Sequence, residues 1–379
     1  MPSSSIRLLG VMVCLPRRGS GLIVPAFPRL GFPSVGWPVV RLFSSPGARA
    51  AYWAFREADL VVTKGGHIYF ARPGAASFLG LFVNLFPVLL GLRLGKRVVL
   101  YGQSIGPVQG VWASRMLAWA FRRCERVLVR EPLSLAFVRE LIGQENSGDQ
   151  AEKVSLTWDT AFVLSPEPLP PSVDAALPGE FVALTVRQWM FPYHEGGGEK
   201  LYEAYLGVAA DLIQRINREW GLPVVLAPQV IGPTEAEDDY RAWDHLVGRL
   251  RRKGPSEVVE VRADLTPSQL MSLYGRARFL VGTRFHSVIL ALAAGTPAVA
   301  ISYHGFKSLG IMRMMGLDRF CFEMERVSTD DLWTALRELD SRLRCPRETL
   351  SRQMEQIRKE CFATAKMVLR NQGGGEEGA

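Results

Sequence analysis

The sequence predicts an α/β fold of two domains, each built on a mostly parallel sheet with helices on its faces. Three observations predict it. Apolar strand-like runs alternate with helical apolar periodicity from about Asp59 onward. A proline-rich break, Ser165-Pro166-Glu167-Pro168-Leu169-Pro170-Pro171, interrupts that rhythm, which then restarts. Polar residues recur in the turns that follow the strands, and doubly wound sheets hold their ligands at strand C-terminal ends.

In chain order, the first 58 residues are rich in proline, glycine and arginine and give no clear strand–helix unit. Leu8 to Leu15 reads as a first strand rather than a signal peptide, because no small-residue cleavage site follows it. Leu60-Val61-Val62 is a strand ending in Lys64-Gly65-Gly66-His67. Phe78 to Leu92 is very apolar, but it is short for a membrane span and contains Asn84, Pro87 and two glycines. It reads as a buried or membrane-surface helix, with burial the favoured reading. Val98 to Tyr101 is the next strand, and Gly102 to Pro107 its turn. A helix carrying Trp112, Met116 and Trp119 follows, with both tryptophans read as core. The strand Arg126 to Val129 leads through Arg130-Glu131-Pro132-Leu133-Ser134 into another helix.

Beyond the break, Phe181 to Val186 is a strand, Tyr202 to Trp220 a helix closed by Gly221, and Pro223 to Ala227 a further strand. The buried run Ala277 to Val281 precedes a helix whose Phe285, Val288, Ile289, Leu292 and Ala293 share one face. Gly295-Thr296-Pro297 stops it before the strand Ala298 to Ile301. The division that results is a first domain over 1–165, a linker over 166–178 and a second domain over 179–348. A terminal helix over 349–372 is placed to brace the first domain, and the tail 373–379 is expected to lack order.

Composition narrows the function. A hydrophobic fraction of 48% with 22% charged residues is that of an ordinary globular protein. The net charge of +8 is carried by scattered lysines and arginines in short runs, with no zinc-finger or RNP-type pattern, so no nucleic-acid partner is expected. An anionic small substrate, or a glycan on an anionic lipid carrier, explains the charge equally well. Five widely spaced cysteines (Cys14, Cys124, Cys321, Cys345 and Cys361) with no CxxC support neither zinc nor a disulfide framework, which points to a reducing, cytoplasmic setting. No HExxH and no clustered His/Cys set calls for a metal.

The most informative stretch is Val281-Gly282-Thr283-Arg284-Phe285-His286-Ser287, which sets an arginine, a histidine and a serine at a strand-to-helix turn. Unpaired N–H groups and the helix dipole favour anions there. Three more turns share the strand-end position: Lys64 to His67, Gln103 to Gly106, and Arg187-Gln188.

Taken in order, these motifs resemble the polysaccharide pyruvyl transferases. The matching residues are Lys64-Gly65-Gly66-His67, Tyr101 to Pro107, Val129-Arg130-Glu131 with Ser134, Asp159 to Phe162, Val186-Arg187, and Gly282 to Ser287 running on through Ala294-Gly295-Thr296-Pro297. The resemblance spans about residues 58 to 320. It implies two Rossmann-like domains of GT-B-like form with an interdomain cleft, the first on the acceptor side and the second on the donor side. It also implies transfer of the enolpyruvyl skeleton of phosphoenolpyruvate onto a sugar as a ketal. The donor positions it implies map onto Arg284, His286 and Arg187. The family's usual opening turn, a glycine-rich Asn-x-Gly-Asp-like sequence after the first strand, has no counterpart here.

Phosphoenolpyruvate carries a phosphate and a carboxylate, which two arginine forks complement. Ketal formation begins with a proton delivered to the methylene carbon, and His286 is the candidate acid. Each residue also has a plainer reading. Arg284 could form an ion pair between domains, His286 could cap the helix or be a buried neutral histidine, and Arg187 with Gln188-Trp189 could be a packed strand end. Ser287, grouped with the donor contacts, is commonly a helix N-terminal hydrogen-bonder. His304 and Lys307, in the turn after Ala298 to Ser302, are a second candidate anion contact. Lys64, Gly65, Gly66, His67, Gln103 and Gly106 either face the acceptor or form tight turns. Arg130 pairs with Glu131 or with Asp159. No cofactor is expected, with phosphoenolpyruvate as co-substrate. The expected acceptor is a glycan or lipid-linked sugar, with a peripheral contact at the inner face of the membrane as one option. A GT-B-like glycosyltransferase using a nucleotide sugar, with Glu323 or Glu325 on the ribose, and a non-catalytic scaffold are the alternatives.

Overall fold

The structure is a computed structural model that describes residues 12–16, 22–24, 46–143, 153–191, 197–232, 234, 237–303, 307–342 and 346–370. The expected tail, 373–379, and most of the opening segment lie outside the described residues. The chain divides into two compact units, residues 1–159 with 364–379, and residues 160–363.

The first unit holds the strands β1 (Met12–Pro16), β2 (Leu22–Val24), β3 (Ala58–Thr63), β4 (Tyr69–Ala71), β5 (Arg97–Gln103), β6 (Ile105–Val108), β7 (Arg126–Val129) and β8 (Val154–Leu156). Its helices are α1 (Pro46–Glu57), α2 (Ala75–Arg93), α3 (Val111–Arg123) and α4 (Pro132–Ile142). The main sheet has the order β2-β1-β3-β5-β7-β8. From β3 to β8 it is parallel, as the strand–helix rhythm predicts, whereas β1 pairs antiparallel with both β2 and β3. Antiparallel strands need no helical crossover, so no strand–helix repeat marks them in the sequence. The expected turn over Gly102 to Pro107 is in part a strand, since β6 pairs with β4 in a small parallel sheet.

Strand alternation sends Val61, Val98, Leu100, Val127 and Val129 to a face covered by Leu81, Leu85, Leu117 and Val138 of the helices. Leu60, Val99 and Leu128 point the other way and pack with Val368. Two expectations about helices are corrected. In α2 only Leu81, Leu85, Val88 and Gly91 are buried, because a helix lying on one sheet face covers a single stripe however apolar the rest is. In α3 the buried stripe is Ala113, Leu117, Ala118, Ala120 and Phe121, and Trp112 and Trp119 fall outside it, 73% and 45% exposed.

The second unit carries β9 (Val182–Thr185), β10 (Val224–Leu226), β11 (Val258–Glu260), β12 (Phe279–Gly282), β13 (Ala298–Ser302) and β14 (Cys321–Glu323). Their order is β11-β10-β9-β12-β13-β14, and every pair is parallel. Each of the four residues of β9 is buried, as in a strand covered on both faces. The helices are α5 (Pro171–Ala176), α6 (Gly198–Trp220), α7 (Asp239–Lys253), α8 (Pro267–Arg276), α9 (Phe285–Ala293), α10 (Lys307–Met314), α11 (Thr329–Arg342) and α12 (Pro346–Leu369). Gly221 ends α6 in the left-handed region at φ 63°.

The segment 166–178 is not a free linker. Glu167 N–H donates to Ser268 O at 3.2 Å, Thr266 Oγ1 donates to Glu167 Oε2 at 3.2 Å, and Arg276 pairs with Asp174. Pro171 opens α5, where its fixed φ suits the first helical turn. The strand order reverses between β9 and β12, and this is the switch point at which a doubly wound sheet opens a ligand crevice.

Candidate functional site

The turns after β9 and β12 are joined by buried polar contacts. Thr283 N–H donates to Thr185 O at 3.1 Å, Thr185 Oγ1 lies 2.9 Å from Ser287 Oγ, and Tyr205 Oη lies 2.7 Å from Thr283 Oγ1. Gly282 lets α9 start this close to the strand, since a Cβ there would sit 2.7 Å from Val288 Cγ2 and 2.8 Å from Ser287 Oγ. Ser287 is fully buried and its hydroxyl donates back to Arg284 O at 2.6 Å. Its expected role as a ligand contact is therefore corrected: with its donor bonded and Thr185 beside it, the hydroxyl holds the turn.

Arg284 occupies the N-cap position of α9 and is 9% exposed. Its Nε donates to Asp239 Oδ1 at 2.8 Å, and its Nη2 donates to Glu237 O and to Asp239 Oδ1, each at 2.6 Å. Asp239 is itself fully buried, and its other oxygen accepts from Gln229 N–H at 2.8 Å and Val230 N–H at 3.0 Å. Burial pushes the Asp239 carboxyl above the ordinary range, against the pull of Arg284 and of the two backbone amides. The partner of Arg284 thus comes from α7 of its own unit, not from the other domain.

Arg187, two residues beyond β9, is also 9% exposed. Its guanidinium carbon lies 4.2 Å from the ring centre of Tyr303 and 4.8 Å from that of Trp189. Nε donates to Gln188 O at 3.2 Å. No carboxylate forms an ion pair with it among the described residues. Burial is the main force lowering its pKa; the like charge of Arg284 adds to it, while Tyr303 and Asp239 oppose it. A desolvated cation of five donors, set against two aromatic rings and with no carboxylate ion pair among the described residues, is a receptor for an anion.

His286 is exposed on the first turn of α9. Lys307, the first residue of α10, brings its Nζ within 3.3 Å of His286 Nε2 and 3.5 Å of Nδ1, and lies 5.5 Å from the ring centre of Phe285. The fold therefore brings His286 and Lys307 together from separate strand ends. His304 lies outside the described residues.

In the first unit the glycine turn is built for close approach of backbones. A Cβ on Gly65 would meet Gly102 O at 2.4 Å, and Ser104 N–H donates to Gly66 O at 2.8 Å. Gln103 is fully buried, its amide donating to Lys64 O at 2.7 Å and Thr63 Oγ1 at 3.1 Å. His67 Nε2 and Gly106 O are 2.7 Å apart. Of the six residues expected to face an acceptor or form turns, Gly65, Gly66, His67, Gln103 and Gly106 thus have turn-building contacts. Lys64 is half-buried, and burial lowers its pKa while Asp159 raises it. Arg130 pairs with Asp159 at 2.5 Å and not with Glu131, which accepts from Ser134 N–H at 2.9 Å and caps α4.

Asp239, Tyr303, Trp189 and Tyr205 have no place in the reading of the sequence as site residues. Asp238-Asp239 at a helix start was a visible cue, but an N-terminal aspartate is ordinarily a cap. Nothing in the sequence ties Asp239 to an arginine 45 positions away.

Residues 23–305 match the family described as polysaccharide pyruvyl transferase. The chain is also similar to the amylovoran biosynthesis protein AmsJ of Erwinia amylovora, 27% identical over 285 residues. That match takes in 71% of this chain but 62% of the relative, so the chain spans less than two thirds of its length. Among solved structures, a UDP-forming α,α-trehalose-phosphate synthase from Burkholderia xenovorans superposes with a TM-score of 0.54 at 13% identity, covering 87% of this chain and 80% of that one. A trehalose-6-phosphate structure from E. coli bound with UDP-2-fluoro glucose gives 0.54 at 12% identity, over 86% and 78%. At such identities the likeness shows the fold alone, two Rossmann-like domains of the GT-B type.

Proposed function

The chain belongs to the polysaccharide pyruvyl transferase family, and from that premise we propose that it transfers the enolpyruvyl skeleton of phosphoenolpyruvate to a sugar of a polysaccharide or its precursor, forming a ketal and releasing phosphate. The observation that carries the proposal is Arg187, a buried guanidinium with no carboxylate partner among the described residues at the switch point of the second unit. Its planar fork suits the carboxylate or phosphate of the donor, and an anion there offsets the unfavourable burial of the cation. Arg284 acts less directly. Paired with Asp239, it fixes the turn and adds positive potential without supplying an unshared fork.

His286 is the proton donor in this reading. A proton passes to the methylene carbon, and C2 gains oxocarbenium character. One sugar hydroxyl adds to C2 and loses its proton, phosphate leaves with its bonding pair, and the second hydroxyl closes the ketal with loss of another proton. Lys307, beside the imidazole, suits the phosphate of the donor as a cation at the same turn.

The likeness to folds that handle UDP-sugars keeps a nucleotide-sugar glycosyltransferase as the second reading. Thermal-shift titration of the chain and of Arg187→Gln with phosphoenolpyruvate and with UDP separates the two. Ligand at a hundred times its Kd stabilises by roughly 2.7 kcal/mol. A shift with phosphoenolpyruvate that disappears in Arg187→Gln is expected. A shift with UDP alone would replace the pyruvyl reading by the glycosyltransferase.

A further inference from the structure

We propose that the first unit docks on an anionic lipid surface through α2 and α3. The two helices pack side by side. Helix α2 has a mean hydropathy of 2.0 over an 18-residue window, yet only 22% of that window is buried. Its core-facing stripe is Leu81, Leu85 and Val88, which leaves Phe78 and Val83 exposed and Phe82 and Phe86 half-buried. It does not leave the sheet to span a bilayer, because it lies, after β4, in the crossover between β3 and β5, which pair in parallel, and its buried stripe is part of the core. On α3, Trp112, Arg115, Trp119 and Arg123 recur at helical spacing along the exposed side. The guanidinium carbon of Arg115 lies 5.6 Å from the ring centre of Trp112, and that of Arg123 lies 4.2 Å from that of Trp119.

Charge selects the occupant. Residues 60–124 contain eight lysines and arginines and no aspartate or glutamate. Outside that stretch the remaining 37 basic residues equal the 37 acidic ones, so the whole net charge of +8 belongs to the segment that contains these two helices. A second copy of the chain would set cationic surfaces against each other. An anionic bilayer meets the arginines with phosphate and takes tryptophan rings at headgroup level and phenylalanine side chains below it. This inference stands apart from the identity of the donor.

The test is flotation of the full chain with phosphatidylcholine vesicles, with and without phosphatidylglycerol, beside the double variants Trp112→Ser/Trp119→Ser and Arg115→Glu/Arg123→Glu. The chain is expected to float with the phosphatidylglycerol vesicles alone, with binding that weakens as salt is added. Each double variant should bind weaker by on the order of tenfold or more at unchanged melting temperature. Equal flotation of the variants, or no flotation of the chain at low salt, would overturn the proposal. A concentration-dependent dimer abolished by Trp112→Ser/Trp119→Ser, with no vesicle binding, would assign the face to a second copy instead.

Discussion

Two arginines of the second unit, each 9% exposed, have opposite thermodynamic characters. Arg284 neutralises a fully buried aspartate, so Arg284→Ala strands Asp239 and is expected to cost about 3–5 kcal/mol in denaturant unfolding. Arg187 forms no ion pair with a carboxylate among the described residues, and Arg187→Gln should leave the unfolding midpoint unchanged or raised. A loss of stability in Arg187→Gln as large as in Arg284→Ala would mean that Arg187 has a structural counter-ion. This contrast was not legible in the sequence. Both residues follow strands and both read as anion contacts, and only the buried Asp239 distinguishes them. The pairing of Arg130 with Asp159 was one of two alternatives the sequence offered, and the structure selects it.

At the scale of elements, the turns were legible where backbone geometry demands a particular residue. Lys64-Gly65-Gly66-His67 holds two glycines with different duties. A Cβ on Gly65 would strike Gly102 O at 2.4 Å, whereas on Gly66 its nearest neighbour would be Ile68 Cγ2 at 3.7 Å. Gly65→Ala is therefore expected to destabilise by about 1–3 kcal/mol, and Gly66→Ala to change stability by about 0.5 kcal/mol or less. Equal melting temperatures for the two variants would contradict this account of the turn. Helix faces were less legible. Trp112 and Trp119 belong by hydrophobicity to a core, but the alanines at 113, 118 and 120 let α3 pack closely on its other side. Apolar periodicity locates a helix, and where apolar residues occur on both sides it does not say which side the sheet covers.

At the scale of the molecule, the last residues of α12 complete the first unit. Val368 packs with Leu60, Val99 and Leu128, and Arg97 Nη2 donates to Arg370 O at 3.2 Å. Truncation after Ala363 uncovers that sheet face. It should lower the melting transition of the first unit by several degrees while leaving that of the second unchanged, as followed by calorimetry. A first-unit transition that did not move would show that the sheet face is covered without Val368.

The sequence by itself determined the α/β class, the parallel strands from Leu60 onward, the positions of the turns that follow the strands and the family, because these rest on local periodicity and on short motifs in fixed order. Only the tertiary structure decided which arginine is spent on Asp239 and which lacks a carboxylate partner among the described residues, that His286 meets Lys307, and that α2 and α3 keep apolar surface outside the core. Those outcomes depend on pairings between residues far apart in the chain, whose energies come from burial and close contact that no local pattern encodes.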